Sequence, residues 1–259
     1  MNKVVIKTAQ EADLMRESGR LLAQVFAMLD DFIEPGVTTM AINDRVEAFI
    51  TAELKARPAS KGQYDYPYAL NTSINEVICH GMPSEQKKLG QRDIINVDIT
   101  LEKDGFIADS SKMYVMPEAT PIARKLVDVT YQAMWQGIRM VRPGARLGDI
   151  GHAIQQHAER FGFSVVREYC GHGIGREMHE EPQVLHYGLP DTGLVLREGM
   201  TFTIEPMINQ GTEKTKTKRD GWTVITRDKK LSAQFEHTVL VTADGVEVLT
   251  LREGEQSPA

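Results

Sequence analysis

Residues 94–115 read Ile94-Ile-Asn-Val-Asp-Ile-Thr-Leu-Glu-Lys-Asp-Gly-Phe-Ile-Ala-Asp-Ser-Ser-Lys-Met-Tyr-Val115 and form the plainest fold signal in the chain. Strand-like runs at 94–100 and 106–115 flank Lys103-Asp104-Gly105, which predicts a β-hairpin. If Lys103 pairs with Asp104, then Asp98 and Asp109 are directly cross-strand. If Asp104-Gly105 is a two-residue loop, the two aspartates are diagonal neighbours. Either register puts both carboxylates on one face.

The second half of the chain holds two more acids within strand-like sequence. Glu205 lies in Thr201-Phe-Thr-Ile-Glu-Pro206 and Glu236 in Ala233-Gln-Phe-Glu-His-Thr-Val-Leu-Val241. Four carboxylates in one apolar site repel each other, and about two divalent cations would be needed to offset their negative charge. The sequence therefore predicts a metal site that draws on both halves.

A histidine completes this predicted site. His172 lies in Gly171-His-Gly-Ile-Gly175, where the glycines let the imidazole stand close to the acids. One imidazole and four carboxylates suit Mn, Fe, Co or Zn. Two bridging carboxylates would hold two ions roughly 3.5–4 Å apart, an arrangement that activates a shared water for hydrolysis.

The remaining histidines and the cysteines divide into two groups. His80 and His179 lie in polar segments of matching halves, where they could hold a substrate amide and stabilise charge on its oxygen. The other four histidines are interpreted as structural: His152, His157, His186 and His237. Cys79 and Cys170 lack the paired spacing of a thiolate zinc site and are interpreted as structural thiols.

Two similar helix pairs surround these strands. A capping box at Thr8 and Glu11 opens the first helix, and Thr120-Pro121 opens the third. Each pair turns at a Pro-Gly dipeptide, Pro35-Gly36 and Pro143-Gly144, and the shift that superposes the turns also carries Ile42 onto Ile150. Two α-then-β halves predict an α+β fold with one antiparallel sheet and its helices on one face.

Composition narrows the class of protein. The 259 residues carry 30 basic and 36 acidic side chains, a net charge of −6, and 41% are hydrophobic. This is typical of a globular protein and argues against whole-surface affinity for nucleic acid or anionic membrane. Two cysteines indicate a reducing compartment, Val4-Val5-Ile6 is too short for a secretory signal, and no apolar run reaches the ~18 residues of a membrane span. We expect a cytoplasmic monomer that binds neither DNA nor membranes.

Eight stretches along the chain, taken in order, carry a family resemblance. They are Ser73-Ile-Asn-Glu-Val-Ile-Cys-His-Gly81, Asn96-Val-Asp-Ile-Thr100, Asp109-Ser-Ser-Lys-Met113, Tyr169-Cys-Gly-His-Gly-Ile-Gly175, His179-Glu-Glu-Pro182, Phe202-Thr-Ile-Glu-Pro-Met207, Asp220-Gly-Trp222 and Glu236-His-Thr238. As a set they resemble the type I methionine aminopeptidases of the shorter bacterial kind. The resemblance implies the pita-bread fold, whose two αβ halves are related by pseudo-two-fold symmetry.

The resemblance also implies a reaction, removal of the N-terminal methionine from nascent proteins and peptides, with preference for a small second residue. It implies two divalent ions, Co, Mn, Fe or Zn, with ligands Asp98, Asp109, His172, Glu205 and Glu236. Glu205 would move the proton of the attacking water toward the leaving amine. His179 would polarise the carbonyl, and His80 would contact the peptide near the scissile nitrogen. A monovalent cation would bind at Asn75, Val77 and Ser232.

The methionine pocket departs from the family pattern. Tyr66 and Trp222 match it, but Gln63, Asn71 and Met178 stand where tyrosine, cysteine and phenylalanine are common. Met178 is flexible and polarisable, as suits the lining of a thioether pocket, whereas Asn71 needs a polar partner if it is buried. These departures leave every implied metal ligand in place, so they concern side-chain preference rather than the reaction.

The connection from Gly211 to Lys230 is locally basic. Its charged residues are seven cations against three acids, which most simply indicates a solvated loop. Because the family works on nascent chains, we also consider contact with ribosomal RNA at the exit tunnel.

Two alternatives remain open from the sequence. A prolidase or proline-specific aminopeptidase would share the fold but usually carries an extra N-terminal domain. A non-catalytic pita-bread binding protein would lack ligands, and all five are present here. We expect one catalytic domain over 1–259, with halves of about 1–117 and 118–252 and a frayed polar tail at 253–259.

Overall fold

A computed structural model describes residues 4–258, so Ala259 of the predicted tail lies outside the described residues. Four α-helices form two pairs: α1 Ala9–Asp30, α2 Thr39–Ala48, α3 Pro121–Ile138 and α4 Leu147–Arg160. The predicted caps are confirmed, since Glu11 N donates to Thr8 Oγ1 and Ala123 N donates to Thr120 Oγ1. A π-helical turn at Phe49–Glu53 and a 3-10 turn at Gln63–Asp65 complete the helical segments described.

The two Pro-Gly turns have the same local structure. Gly36 and Gly144 have φ angles of +97° and +87°, the left-handed region that glycine adopts without strain. Gly36 N donates to Leu89 O at 2.7 Å, and Gly144 N donates to Leu196 O at 3.0 Å. Each turn is therefore tied to a loop between two strands of its own half, as a repeat requires.

Fifteen short strands are present in the described residues, and all their pairings are antiparallel. They are β1 Arg57–Pro58, β2 Leu70–Ile74, β3 Val77–Cys79, β4 Ile94–Lys103, β5 Phe106–Val115, β6 Ser164–Val165, β7 Gly171–Gly173, β8 Glu180–Val184, β9 Thr201–Ile204, β10 Met207–Asn209, β11 Thr215–Thr217, β12 Val224–Thr226, β13 Ser232–Gln234, β14 His237–Val241 and β15 Val246–Val248.

The hairpin β4–β5 has the second of the two predicted registers. Lys103 pairs with Phe106, so Asp104-Gly105 is the two-residue loop, with φ angles of +52° and +81°. Asp98 pairs with Ser111 and Asp109 pairs with Thr100. The two aspartates are therefore diagonal neighbours on one face, and both contribute to the same cavity.

The strands form four hydrogen-bonded sheets rather than the one sheet that we expected. One reason is Pro206, which has no amide hydrogen to donate and separates β9 from β10. Residues 235–236 likewise leave the ladder between β13 and β14, and Glu236 instead forms an isolated bridge to Ser111 of β5. Glu205 and Glu236 both lie at these interruptions.

Each helix pair covers the apolar face of its own half. Ile95, Val97 and Ile99 of β4 pack against the first pair, α1 and α2. Phe202 and Ile204 of β9 are in the core that holds α3 and α4. Because side chains alternate along a strand, Asp98 and Thr203 are left on the opposite face. The helices thus force the polar residues to the other side of the strands.

Two expected irregular segments are more ordered than predicted. The basic connection forms a hairpin, β11–β12, and β12 also pairs with β3. The C-terminal segment is not frayed throughout, because Glu255 N donates to Arg252 O at 3.1 Å and Arg252 N donates to the Glu255 carboxylate at 2.9 Å. No helix within residues 4–258 is long and apolar enough to cross a bilayer.

Candidate metal centre and active site

The five predicted ligands line one cavity of about 480 Å³. Ligand atoms of Asp109, His172 and Glu236 all lie within 4.8 Å of one another. His172 Nε2 is 3.9 Å from Asp109 Oδ2 and 3.5 Å from Glu205 Oε1. Residues from both halves are thus brought together, as the sequence predicted.

Glycines position His172. A Cβ atom at Gly171 would lie 2.3 Å from Thr203 O, and one at Gly173 would lie 2.1 Å from Glu181 O. Only glycine therefore lets β7 approach its neighbours β9 and β8. Thr203 Oγ1 accepts from His172 N at 3.0 Å and donates to Glu205 Oε1 at 2.7 Å. One hydroxyl thus holds two predicted ligands.

Burial makes the four carboxylates hard to ionise together. It raises the pKa of Asp98 to about 6 and that of Glu205 to about 8. Burial and the neighbouring acids raise the pKa of Asp109 and of Glu236 well above their usual range. Within residues 4–258, none of the four has a lysine or arginine nitrogen within 4.0 Å. Within these residues the cluster has no ion pair with a lysine or arginine, and Arg252 acts on Glu236 only at longer range.

The donor set fits divalent metal ions. Burial, and then His179, lowers the pKa of His172 to about 3, so the imidazole is neutral and its Nε2 faces the acids. Its Nδ1 lies 3.0 Å from Gly173 O, which fixes the proton on Nδ1 and leaves Nε2 free as a donor atom for a metal. Four carboxylates and one neutral imidazole are ligands suited to hard-to-borderline divalent ions.

The predicted substrate residues line the same cavity. They are Gln63, Tyr66, Asn71, His80, Met178, His179 and Trp222. The rings of Tyr66 and Trp222 meet edge to face with centroids 4.9 Å apart, and Tyr66 OH donates to Leu70 O at 3.0 Å. This pair gives the cavity an aromatic wall in a fixed orientation.

Asn71 has the polar partner that it needs. Its Nδ2 donates to Asp98 Oδ2 at 3.4 Å, so the amide supports one of the predicted metal ligands. Met178 packs with Phe106, Ile107 and Ile174 beside the cavity. Two of the three departures in the pocket are therefore accommodated by local contacts.

The two assisting histidines occupy different environments. The centroid of the His179 ring is 4.4 Å from that of His172, and the ring of Tyr64 stacks on His179 with centroids 6.0 Å apart. His80 has a left-handed backbone, φ +55°, and its ring meets Tyr169 edge on. Loss of hydration lowers the pKa of both imidazoles, so both are neutral hydrogen-bonding groups near pH 7.

Sequence reasoning missed several residues of the cavity. Cys79, Cys170 and Tyr169 line it, and burial raises the pKa of both thiols, which therefore carry no charge. Tyr169 and Cys170 directly precede Gly171-His172 in the chain, and this position next to a predicted ligand was the signal that could have identified them.

His186, interpreted as structural, lies outside the cavity lining but accepts a hydrogen bond from Glu205 N at 3.1 Å. This contact depends on tertiary structure, so the sequence carried no signal for it.

The residues of the predicted monovalent-cation site lie near one another. Ser232 N donates to Asn75 O at 2.9 Å, and Asn75 has a left-handed backbone with φ +54°. Asn75 Nδ2 donates to Asp93 Oδ1 at 2.8 Å, and Val77 follows on β3. Cation binding by this segment stays a prediction.

The hairpin β11–β12 presents its cations to solvent. All seven are exposed and none is in an ion pair within the described residues: Lys214, Lys216, Lys218, Arg219, Arg227, Lys229 and Lys230. Two of the three acids accept hydrogen bonds from backbone amides: Asp220 accepts from Trp222 N, and Asp228 accepts from Thr212 N. This segment, residues 211–230, which we name the basic hairpin, is therefore a positively charged surface. Trp222 lies in the loop between its two strands.

Comparisons with known proteins agree with this geometry. The profile of metallopeptidase family M24 matches residues 13–243. A methionine aminopeptidase of Salmonella typhimurium (strain LT2) is 51% identical, over 99% of this chain and 97% of that protein. The crystal structure of methionine aminopeptidase from Rickettsia prowazekii superposes with a TM-score of 0.94 at 49% identity and covers 96% of this chain and 100% of that one.

A prolidase shares the fold at a greater distance. The prolidase from Pyrococcus horikoshii OT3 superposes with a TM-score of 0.75 at 20% identity. The match covers 97% of this chain but 65% of that one. The likeness extends to the fold, and the prolidase has additional chain outside the shared part.

Proposed function

The chain belongs to metallopeptidase family M24 and to its methionine aminopeptidases, and on that premise we propose a mechanism in which two divalent ions are bound by Asp98, Asp109, His172, Glu205 and Glu236. The enzyme removes the N-terminal methionine of peptides and nascent proteins. The observation that carries the metal assignment is the buried cluster of four acids and one neutral imidazole, in which no acid forms an ion pair with a lysine or arginine of residues 4–258. When bound, divalent ions lower the pKa of water and polarise a carbonyl group.

Glu205 is the proton carrier of the reaction. Its Oε1 accepts from Thr203 Oγ1 at 2.7 Å and its Oε2 accepts from Gln234 Nε2 at 3.3 Å, so the carboxylate is held in one orientation. It takes the proton of the attacking water and passes it to the leaving amine. Such acid–base catalysis contributes about 10²–10⁴-fold in rate.

The two neutral histidines hold the substrate amide. His179, beside His172, donates a hydrogen bond to the carbonyl oxygen of the scissile bond, where negative charge develops. His80 contacts the peptide near the scissile nitrogen. Neutral imidazoles suit these roles because each carries one N–H donor without adding a cation to the metal site.

The methionine side chain lies against Tyr66, Trp222, Met178, Asn71 and Gln63. Tyr66 and Trp222 supply a fixed aromatic wall, and Met178 supplies a polarisable surface that matches a thioether. The remaining wall, which includes Cys79 and Tyr169, closes a cavity of about 480 Å³, which supports a small second residue.

We further propose that the basic hairpin contacts ribosomal RNA at the exit tunnel, where nascent chains become available. Seven exposed cations, which form no ion pair within residues 4–258, would gain free energy from phosphate contacts by releasing counterions. Consistent with this role, the enzyme would act in the cytoplasm as a monomer of one catalytic domain, with a monovalent cation at Asn75, Val77 and Ser232.

The deciding experiment is turnover of Met-Ala, Met-Gly and Leu-Ala peptides with Mn, Fe, Co or Zn. We expect methionine release with at least one metal, and leucine release at least about tenfold slower, since loss of a fitted side-chain contact costs about 1–3 kcal/mol. Equal release of leucine would overturn the methionine assignment. Cleavage of Xaa-Pro peptides would favour a prolidase, and a chain that binds no metal would favour a binding protein.

A further inference from the structure

Behind the metal site, away from the substrate cavity, lies a buried charged cluster. Its members are Arg252, Glu255 and His237, whose side chains are 6%, 10% and 0% exposed. Arg252 Nη2 donates to Glu255 Oε1 at 3.0 Å, and His237 Nε2 lies 3.1 Å from Glu255 Oε2. Tyr131 OH donates to Glu255 Oε1 at 3.2 Å.

The sequence builds this cluster with a short turn, which we name the C-terminal turn, residues 252–255. Gly254 has a φ angle of +83°, which favours glycine at the third position. The turn brings Glu255 back onto the guanidinium of its own first residue, Arg252. The composition of residues 253–259 indicated a frayed tail. In the structure, Gly254 makes the turn and the Glu255 carboxylate holds it against Arg252.

Arg252 reaches directly to the backbone beside two predicted metal ligands. Its Nη1 donates to Ser111 O at 2.8 Å and to Ser110 Oγ at 3.3 Å. Ser110 Oγ donates in turn to Glu236 O at 2.7 Å, and Glu236 N donates to Ser111 O at 3.1 Å. Arg252 therefore holds both partners of the bridge between Ser111 and Glu236.

The contacts of Arg252 fall next to the ligands on both sides. Ser110 follows Asp109, and His237 follows Glu236. A shift of either backbone segment would move a carboxylate relative to the other, and metal ligands are sensitive to the groups that orient them. No residue of the C-terminal turn lines the cavity, so its effect must pass through these backbone segments.

We propose that the C-terminal turn is a positioning device that fixes Asp109 and Glu236 relative to each other and thereby sets the affinity for the two metal ions. This inference rests on the proposed function, because it assumes that these acids bind metal. Arg252 and Glu255 are positioning residues and do not touch the substrate.

The test compares metal binding by Glu255→Gln and Glu253→Gln in the full-length chain. Both substitutions remove one negative charge from the same turn, but Glu253 is exposed and has no side-chain partner within residues 4–258. The dissociation constants of Mn and Co are measured by competition with a chelator, and the visible spectrum of the Co-loaded protein reports ligand geometry. Thermal unfolding of the metal-free proteins reports stability separately.

We expect Glu255→Gln to weaken metal binding about 10–100-fold, the usual effect of losing a group that orients metal ligands, with Glu253→Gln within about twofold of the wild type. Equal metal affinity in the two variants would overturn the inference, and so would a lower unfolding midpoint with unchanged affinity. If Glu255→Gln does not fold, Tyr131→Phe replaces it in the test, because it removes the hydrogen bond from Tyr131 OH to Glu255. We then expect a smaller loss of metal affinity. A wild-type chain that binds no metal would instead refute the proposed function.

Discussion

Thr238 Oγ1 accepts a hydrogen bond from Asp109 N at 3.0 Å and donates one to Asp109 O at 2.8 Å. The two residues belong to different halves, and one hydroxyl satisfies both backbone groups of a predicted metal ligand. Asp109 is therefore held from the second half by Thr238 and, through its neighbour Ser110, by Arg252. The two halves share one site because their backbones are joined at the ligands.

Replacement of Thr238 by valine should separate these halves locally. Thr238→Val keeps the shape but leaves the buried Asp109 N–H and C=O without their partner, which costs about 1–3 kcal/mol. We expect this loss in urea unfolding, together with weaker metal binding. Thr242→Val is the control, because the Thr242 hydroxyl hydrogen-bonds only to Asp244 and Gly245 of its own turn among the described residues. A Thr238→Val protein as stable as this control would contradict the role of the pair.

Glu205→Gln should keep the fold and lose most turnover. The amide cannot take a proton from water, so we expect kcat on Met-Ala-Ser to fall about 10²–10⁴-fold. Glu198→Gln, at an exposed position outside the cavity lining, should retain full activity. Near-normal turnover by Glu205→Gln would remove Glu205 from the role of proton carrier.

The metal-free protein should lose stability as the pH rises from about 6.5 to 8. Burial raises the pKa of Glu205 from 4.5 to about 8, so the folded chain holds a proton that the unfolded chain has already released. The unfolded state then binds fewer protons, and the free energy of unfolding falls with pH, by on the order of 2 kcal/mol over this window. Below pH 6.5 the opposite trend of the buried histidines intervenes, since the pKa of His172 is lowered from 6.5 to about 3.

Urea unfolding in a chelator at pH 6.5 and 8 measures this effect. Glu205→Gln has one ionisable group fewer and should show a smaller drop. Metal-loaded protein should show none, because the ions neutralise the acids. A metal-free wild type that is equally stable at both pH values would refute the raised pKa inferred for the buried Glu205.

Charge reversal in the basic hairpin should abolish ribosome association. In Lys214→Glu, Lys216→Glu and Lys218→Glu combined, we expect cosedimentation with ribosomes to disappear, and the wild-type association to weaken as salt is raised. Reversal of three exposed lysines elsewhere, Lys55, Lys88 and Lys125, is the matched control. Cosedimentation that is unchanged by reversal of the hairpin would place the contact elsewhere or exclude it.

Local signals predicted much of the fold. The caps at Thr8 and Thr120, the paired Pro-Gly turns and the hairpin at Asp104-Gly105 each depend on a few adjacent residues, and the structure confirms them. Which of the two hairpin registers forms could not be read from the turn alone. Both registers put the same side chains on the same faces of the hairpin, so the pairing of Asp98 with Ser111 depends on contacts that exist only in the folded chain.

The groups that support the site could not be predicted from the sequence. Asn71 was expected to need a partner, but its identity, Asp98, follows from the pairing of β2 with β4. The number of sheets was wrong because strand-like sequence continues through Glu205-Pro206 and Phe235-Glu236, where the ladder breaks. Glu255 gave no signal, since its contacts with His237 and Tyr131 form only between residues distant in sequence.

The central claim, that both halves supply one two-metal site, is tested most directly by counting bound ions. Wild-type protein is dialysed against Mn or Co, and its metal content is measured by elemental mass spectrometry. We expect two ions per chain. The double variant Asp109→Asn, Glu236→Gln, which removes one ligand from each half, should hold at most one. Wild-type protein without bound ions, or a double variant that still holds two, would contradict the account.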